Sequence, residues 1–465
     1  MMPRRITVLA SMLLFVAGTA LAQGVTLPDV ERIELANGAV LLLHEKHDVP
    51  LIGIEAVVRG GAVSDPDGMA GLSSLLAGLL EKGAGERDSA AFAEAVAAVG
   101  GELSSAADLE GITVSGEFMA RDAALMIELV ADMLQRPALD PDEMAKLRDR
   151  SINFIRAAKD TNLGALVPMY GAAFLFGDHP YGNPVSGSED SLANIRHRDL
   201  AGHYNDHVGA DRLIIAVGGD FETAAMAELL TNAFADWRQA ATEAIVIETP
   251  EPDPGRRVLL VDKPGATQTY FWLAGPGVSV DYAQRAELDI ANTVFGGRFT
   301  SMLNTALRVE SGLTYGARSV LTQPSLPGSV AIYSFTKTDS TVEAIDMAIA
   351  VLEQLFAEGV SGDTLVSAKN YILGQYAPDF ETSSQLAGTI AFLEQMGLDA
   401  TYIDDYGSAV SAAGSETIAT VINEVYPPPA ELVVVLLGDA ELIRDDIARY
   451  GPVTEIAITA PRFRP

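Results

Sequence analysis

A strand that ends in Gly-Asp and leads into a helix occurs twice in this sequence, and the two copies lie 219 residues apart. The apolar run at residues 213–217 precedes Gly219 and Asp220, and the apolar run at 432–437 precedes Gly438 and Asp439. Paired helix patterns at 123–158 and 342–373 also occupy corresponding places. Because one period equals about half of the chain, a duplicated α+β domain is the simplest explanation.

Local patterns indicate how each domain is built. Residues 33–44 alternate in polarity around Asn37 and Gly38, which is typical of a β-hairpin. We predict that each domain is a mainly antiparallel sheet packed with helices. The segment 248–256 contains three prolines and predicts a linker between an N-terminal domain at 23–247 and a C-terminal domain at 257–465. We expect each domain to have its own core.

Composition excludes several classes of function. The chain carries 63 acidic and 31 basic residues, a formal net charge of −32, which argues against general nucleic-acid binding. It contains no cysteine, which excludes disulfides, a cysteine nucleophile and cysteine-ligated metals. Hydrophobic residues make up 48% of the chain, enough for substantial cores.

The N-terminus predicts export. Arg4 and Arg5 precede a short apolar stretch, and Ala20-Leu21-Ala22 offers a small-residue cleavage pattern. Residues 1–22 are therefore interpreted as a signal peptide, with an uncleaved membrane anchor as the alternative. After cleavage we expect no stable membrane insertion, and a periplasmic or secreted protein.

The run at residues 60–83, beginning Gly60-Gly61 and containing Gly71-Leu72, resembles the insulinase/pitrilysin family, which includes the mitochondrial processing peptidases. His179-Pro180-Tyr181-Gly182 follows in the order that this family uses. The resemblance covers essentially the whole mature chain. It implies tandem metallopeptidase-like domains with an inverted zinc motif, His-x-x-Glu-His, after the Gly-Leu pair.

The zinc motif itself is absent from this chain. The family's first histidine corresponds to Ser74, its general-base glutamate to Ala77, its second histidine to Gly78, and its distal glutamate ligand to Phe154. Ala, Gly and Phe offer no metal ligand or base, and a lone serine hydroxyl is a poor zinc ligand. Glu81 lies nearby but has no histidines beside it. We expect this half to hold no metal and the chain alone to be inactive.

A second motif imitates a zinc site. His203 and His207 form His-x-x-Asp-His, with two imidazoles four residues apart on one predicted helix. The helix corresponds to a peripheral packing element in the family, and a histidine near a helix C-terminus is stabilised by the helix dipole. We favour a structural role, with adventitious metal binding as the alternative.

The second half retains a segment that resembles the family's C-terminal Arg/Tyr element. Arg308 and Tyr315 stand seven residues apart and flank Gly312-Leu313. The resemblance implies that Tyr315 donates to an oxyanion and that Arg308 holds substrate carbonyl oxygens, across from a zinc site. In the alternative, Arg308 pairs with Glu310 or another local acid, and Tyr315 packs under the second domain.

A weaker candidate is an edge for peptide binding. Gly101, Glu102, Leu103 and Ser104 occupy the place where the family's sheet edge takes up an extended peptide as an added strand. In this chain the edge could bind peptide or be covered by a partner.

These observations lead to one principal hypothesis. The chain is a non-catalytic subunit of a split zinc endopeptidase for short or unfolded peptides, and zinc is expected in a homologous partner that carries His-x-x-Glu-His. The alternative is a peptidase-derived scaffold or peptide-binding protein with no role in hydrolysis. A hydrolase using His203 and His207 is a weaker third hypothesis. The sequence leaves open the partner's identity and whether a homodimer forms.

Overall fold

The computed structural model describes residues 24–465, so the predicted signal peptide at 1–22 lies outside the described residues. The strands are β1 (Glu31–Glu34), β2 (Val40–Glu45), β3 (Leu51–Arg59), β4 (Gly83–Ala84), β5 (Arg87–Asp88), β6 (Glu102–Ala107), β7 (Gly111–Met119), β8 (Leu213–Gly219), β9 (Arg257–Asp262), β10 (Gln268–Pro276), β11 (Ala317–Thr322), β12 (Ser329–Lys337), β13 (Val433–Gly438) and β14 (Val453–Ala457).

The helices occur both between these strands and in consecutive runs. They are α1 (Leu72–Leu80), α2 (Ser89–Ala98), α3 (Ala123–Gln135), α4 (Pro141–Thr161), α5 (Leu163–Phe176), α6 (Glu189–Asn194), α7 (His197–His207), α8 (Thr223–Phe234), α9 (Arg285–Asn292), α10 (Met302–Asn304), α11 (Thr341–Glu358), α12 (Gly362–Tyr376), α13 (Ser383–Met396), α14 (Thr401–Asp404), α15 (Tyr406–Ala412), α16 (Ser415–Val425) and α17 (Ala440–Ile447).

Each half forms a six-stranded sheet, and the two sheets share one topology. Their strand orders are β1-β2-β8-β3-β7-β6 and β14-β9-β13-β10-β12-β11. Five strands correspond in chain order, and β2–β8 and β9–β13 are the matching parallel pairs. Only the outer strand differs, because β1 is antiparallel to β2 whereas β14 is parallel to β9. The predicted duplicated α+β fold is confirmed.

One covering helix of each half packs on the sheet of the other half. Helix α5 of the first half lies on β10 and β13, and α13 of the second half lies on β3 and β8. Both crossings depend on glycine. A Cβ atom at Gly171 would lie 2.6 Å from Cδ2 of Trp272, and one at Gly53 would lie 2.5 Å from the Cα of Ser384.

This exchange extends the core of the first half into part of the second half. A single hydrophobic cluster contains Tyr170 and Leu175 of the first half together with Trp272, Val435 and Leu437 of the second. A second cluster, which includes Val258 and Phe271, contains residues of the second half alone. The expectation of a separate core is therefore met by the second half, whereas the core of the first half extends into the second. The reason is that each sheet has two apolar faces to cover, and the helix over one of them comes from the other half. The segment 248–256 forms neither helix nor strand, and its role as a domain boundary stays a prediction.

Residues after β14 also connect the halves. Phe463 is buried with its ring edge-on to Tyr170, at 4.9 Å between centroids. Arg464 pairs with Asp178 at 2.7 Å between Nη1 and Oδ1.

None of the helices in residues 24–465 combines the length and apolar character needed to cross a bilayer.

Candidate functional site

The predicted counterpart of the family's metal helix is α1, and its start is held by Asp65. The Asp65 carboxylate accepts from the backbone N–H groups of Gly71 (2.8 Å), Leu72 (3.1 Å) and Ser73 (2.8 Å) and from the Ser73 hydroxyl (2.6 Å). Gly71 adopts a φ of 96°, which favours glycine. The first turn of α1 is thereby fixed, and with it the positions that would carry a metal site.

The side chains at those positions do not fit a catalytic zinc. Ala77 is buried, and a Cβ atom at Gly78 would meet Leu147 of α4 at 3.5 Å. Phe154 follows Leu147 by seven residues, so it lies on the same face of α4 two turns later, and it is 64% exposed. With Ser74, this set offers a single weak ligand atom where a catalytic zinc requires about three.

Glu81 has a structural role that the sequence did not reveal. Its carboxylate accepts from the backbone N–H of Ser105 at 2.7 Å and from the Ser105 hydroxyl at 3.3 Å. The Ser105 hydroxyl also donates to the Ala77 carbonyl at 2.6 Å. Glu81 therefore ties the end of α1 to strand β6 instead of serving as a replacement base.

The same contact affects the predicted peptide-binding edge. Strand β6 is the outermost strand of its sheet and pairs with β7. The Ser105 N–H points away from β7. Because the backbone groups of successive residues in a strand point alternately toward and away from the paired strand, those of Leu103 point to the same open side. Glu81 therefore covers part of this edge. Of the predicted residues Gly101, Glu102, Leu103 and Ser104, the Gly101 N–H already donates to the Val96 carbonyl at 3.2 Å, and Leu103 is the one whose backbone is turned to the open side.

The His203/His207 pair is engaged in packing. His203 is 4% exposed, and its Nε2 lies 3.1 Å from the Ser73 hydroxyl. Burial lowers the pKa of His203 to about 3, with a further contribution from His207. His207 Nδ1 accepts from Arg212 Nη1 at 3.1 Å. Both imidazoles thus contact protein partners, which supports the structural interpretation.

Within residues 24–465, the three side chains whose ligand atoms lie within 4.8 Å of one another are Glu45, His47 and Glu222. The sequence did not single them out. Glu45 accepts from the backbone N–H and the hydroxyl of Thr223, both at 2.7 Å, and so satisfies the N-terminus of α8. These bonds, with one from His47, lower the pKa of Glu45 to about 2. The hydrogen bonds of Glu45 in this exposed cluster are therefore those of a helix cap.

The predicted Arg/Tyr element forms a cluster on the surface of the second half. Arg308 lies on a wide helical turn, Thr305–Glu310, that continues α10. The Cζ atom of Arg308 is 4.5 Å from the ring centroid of Tyr315 and 4.7 Å from that of Phe299. Tyr315 is 75% exposed and Phe299 is 65% exposed.

The local alternatives for this pair do not match the geometry. Within residues 24–465, Arg308 forms no ion pair with Glu310 or another acid, and the Tyr315 hydroxyl has no hydrogen-bond partner. The exposure of Tyr315 also contradicts packing under the second domain. The Tyr315 phenol is therefore presented to solvent and to any partner that docks on this face, with the half-buried Arg308 beside it.

Ser74 does not meet the Arg308/Tyr315 cluster. It opens into a groove of about 510 Å³ between the halves, called the interdomain groove here, whose lining includes neither Arg308 nor Tyr315. The lining includes Met169 and Trp272, from α5 and β10. The groove was not predicted because its walls come from segments distant in the sequence, such as those around Ser74, Met169 and Trp272.

Comparisons with known proteins agree with this architecture. The family model described as insulinase (peptidase family M16) matches residues 40–189, and the one described as peptidase M16 inactive domain matches residues 194–372. An uncharacterized zinc protease of Mycobacterium tuberculosis is 26% identical over 321 residues, 68% of this chain and 72% of that protein. The non-peptidase homolog YmxG of Helicobacter pylori is 22% identical over 360 residues, 77% of this chain and 82% of that protein.

A solved structure shows the same fold. The crystal structure of a peptidase M16 inactive domain from Pseudomonas fluorescens superposes with a TM-score of 0.82 at 20% sequence identity. The match covers 89% of this chain and 98% of that one, so the similarity extends over both halves.

Proposed function

Because this chain belongs to the insulinase (M16) family of peptidases, we propose that it is a zinc-free subunit of a split zinc endopeptidase. Its partner is a homologous subunit that carries His-x-x-Glu-His and holds the zinc. Arg308 and Tyr315 complete the partner's active site, and the substrates are short or unfolded peptides. A subunit without a metal site of its own is consistent with the side chains at Ser74, Ala77 and Gly78.

The observation that carries the proposal is the exposure of Tyr315 beside Arg308. A tyrosine that is 75% exposed contributes little to the core, whereas its hydroxyl is open to an external acceptor. A phenol O–H aimed at a developing oxyanion stabilises the transition state more than the ground state. The neighbouring guanidinium suits the carbonyl oxygens of a bound peptide.

The surroundings of the pair suit a protein partner. Val309 is 66% exposed and Phe299 65%, so aromatic and aliphatic surface lies around Arg308 and Tyr315. Exposed apolar side chains gathered around an arginine and a tyrosine are a common composition for an interface centre. The signal-like residues 1–22 support assembly in the periplasm or outside the cell.

The test is peptide cleavage by the reconstituted pair of chains. Tyr315→Phe is compared with Tyr371→Phe, a second partly exposed tyrosine, on α12. Size-exclusion chromatography checks that every variant assembles with the partner. We expect cleavage to fall on the order of 10²–10³-fold for Tyr315→Phe and to stay unchanged for Tyr371→Phe. Normal assembly with cleavage at the wild-type rate in Tyr315→Phe would refute the proposal.

The alternative is a peptidase-derived scaffold or peptide-binding protein. The interdomain groove favours it, because a groove formed by both halves can bind ligand without any metal chemistry. Under this alternative the partner, if present, cleaves peptides equally well with the Arg308 and Tyr315 variants.

A further inference from the structure

The interdomain groove has walls from both halves of the chain. Met169 and Phe176 of α5 form one side, and Trp272, Val320 and Tyr333 of the second sheet form the other. Its volume of about 510 Å³ is in the range typical of pockets that enclose small ligands.

The charge of the groove is opposite to that of the protein. The chain has 63 acidic and 31 basic residues, yet no aspartate or glutamate lines the groove, and Arg318 is its one charged lining residue. The Cζ atom of Arg318 lies 4.8 Å from the ring centroid of Tyr333. Within residues 24–465 its guanidinium forms no ion pair or hydrogen bond. A single unpaired and exposed cation beside apolar walls is complementary to an apolar ligand with one negative charge.

The walls are held together before any ligand binds. The Glu110 carboxylate of the first half accepts from the Tyr181 hydroxyl at 2.6 Å and from the Ser325 backbone N–H of the second half at 3.0 Å. The Leu326 N–H in turn donates to the Tyr181 hydroxyl at 3.2 Å. The negatively charged Glu110 carboxylate, which lies at the rim of the groove, is thus already engaged in hydrogen bonds. A preformed groove loses little conformational entropy when it binds a ligand.

The polar groups of the lining distinguish a peptide from a fatty acid. Ser74, Asn183 and Thr322 bring hydroxyl and amide groups into an otherwise apolar groove. Peptide N–H and C=O groups can pair with them, whereas an alkyl chain would leave them buried without partners.

We propose that the interdomain groove binds the carboxyl-terminal end of an apolar peptide. The terminal carboxylate pairs with Arg318, and the apolar terminal side chain packs between Met169 and Trp272. The inference rests on the proposed function in one respect: the proposed peptidase produces the ligand, because peptide hydrolysis creates fragments with new carboxyl termini. Binding itself requires neither the partner nor zinc.

The test uses the purified chain without partner. Isothermal titration calorimetry compares N-acetyl-Leu-Leu-Phe as the free acid with the same peptide as its carboxyl-terminal amide. We expect the acid to bind at least tenfold more tightly than the amide. Arg318→Gln should remove this difference and Arg318→Lys should retain part of it. Arg121→Gln, which changes an exposed arginine outside the groove, should leave it unchanged.

Each other outcome overturns the proposal. Equal affinity for acid and amide, no binding of either peptide, or an undiminished preference in Arg318→Gln would each exclude a carboxylate site at Arg318. Binding of dodecanoate without binding of the peptide acid would assign the groove to a lipid anion. Because the titration involves no cleavage, its failure is distinguishable from a failure of the reconstituted peptidase.

Discussion

The Cζ atom of Arg308 lies 4.5 Å from the ring centroid of Tyr315, at cation–π distance. The two residues are seven positions apart, and the turn between them contains Gly312 with a φ of 68°. The half-buried guanidinium therefore orients the phenol, which stays open to solvent. A pair held in this way is positioned before a partner arrives, which reduces the entropy lost when an active site is completed.

Arg308 variants should affect substrate binding as well as turnover in the reconstituted pair. A guanidinium that holds carbonyl oxygens acts in the ground state and the transition state, so Arg308→Gln should raise KM and lower kcat. Tyr315→Phe should lower mainly kcat, by about 3–4 kcal/mol in activation free energy. Steady-state kinetics separates the two effects, with Arg308→Lys as the charge-conserving control. An identical pattern for both residues would contradict their separate roles.

The isolated, tag-free chain should bind no stoichiometric zinc. Ser74, Ala77, Gly78 and Phe154 cannot supply the ligands that a catalytic zinc needs. Elemental analysis after dialysis checks this, with the zinc-bearing partner as the positive control. One tightly held zinc per chain that is lost in His203→Ala would show that the buried histidines form a metal site.

His203 should make stability depend on pH below about 6.5. Burial lowers its pKa to about 3, so between that value and 6.5 the unfolded chain binds a proton that the folded chain does not. Stability therefore falls as the pH decreases, by about 1.4 kcal/mol per pH unit for this group. Asp65, whose pKa burial raises to about 6, acts with the opposite sign and is present in wild type and variant alike.

Urea unfolding of wild type and His203→Gln measures this effect. Between pH 7 and pH 5, the wild type should lose about 2 kcal/mol more than the variant. His47→Gln is the control. Asp220 and Glu45 raise the pKa of the exposed His47, so its contribution to stability should be lost as the pH rises above the ordinary histidine range and should not change between pH 7 and pH 5 in the way that His203 does. Parallel pH profiles for wild type and His203→Gln would contradict a neutral, buried His203.

The crossing of α5 over the second sheet should be sensitive to one methyl group. Gly171→Ala places a Cβ atom 2.6 Å from the Trp272 indole, so we expect a loss of about 1–3 kcal/mol in the free energy of unfolding. Gly202→Ala on α7 is the matched control, because no atom lies within 4 Å of its Cβ position. There the free energy of unfolding should stay constant or rise by about 0.5–1 kcal/mol. Similar losses in both variants would argue against the close packing of α5 on Trp272.

Limited proteolysis should first cut between α8 and β9, near the predicted boundary at 248–256. Val246, which lies between α8 and β9, is 92% exposed. Because α5 and α13 each pack on the sheet of the other half, the two fragments should elute together in size-exclusion chromatography without denaturant. Separate elution of the fragments would contradict the shared interior.

The sequence by itself determined the features that depend on near neighbours and on residue type. The hairpin around Asn37 and Gly38 and the repeated strand before Asp220 and Asp439 follow from short-range patterns, which need little tertiary context. The absence of metal ligands at Ser74, Ala77 and Gly78 is likewise a matter of residue chemistry. The seven-residue spacing of Arg308 and Tyr315 is also visible in the sequence alone.

Only the tertiary structure decided how distant segments are used. Gly171 accommodates Trp272, Glu81 binds the backbone of Ser105, and Arg318 and Ser74 line the same groove, and none of these contacts can be read from the local sequence. Local propensity acts over a few residues, whereas the two apolar faces of each sheet can be covered by any helix that the chain brings within reach. The exchange of α5 and α13, and the groove that α5 lines, depend on that long-range choice.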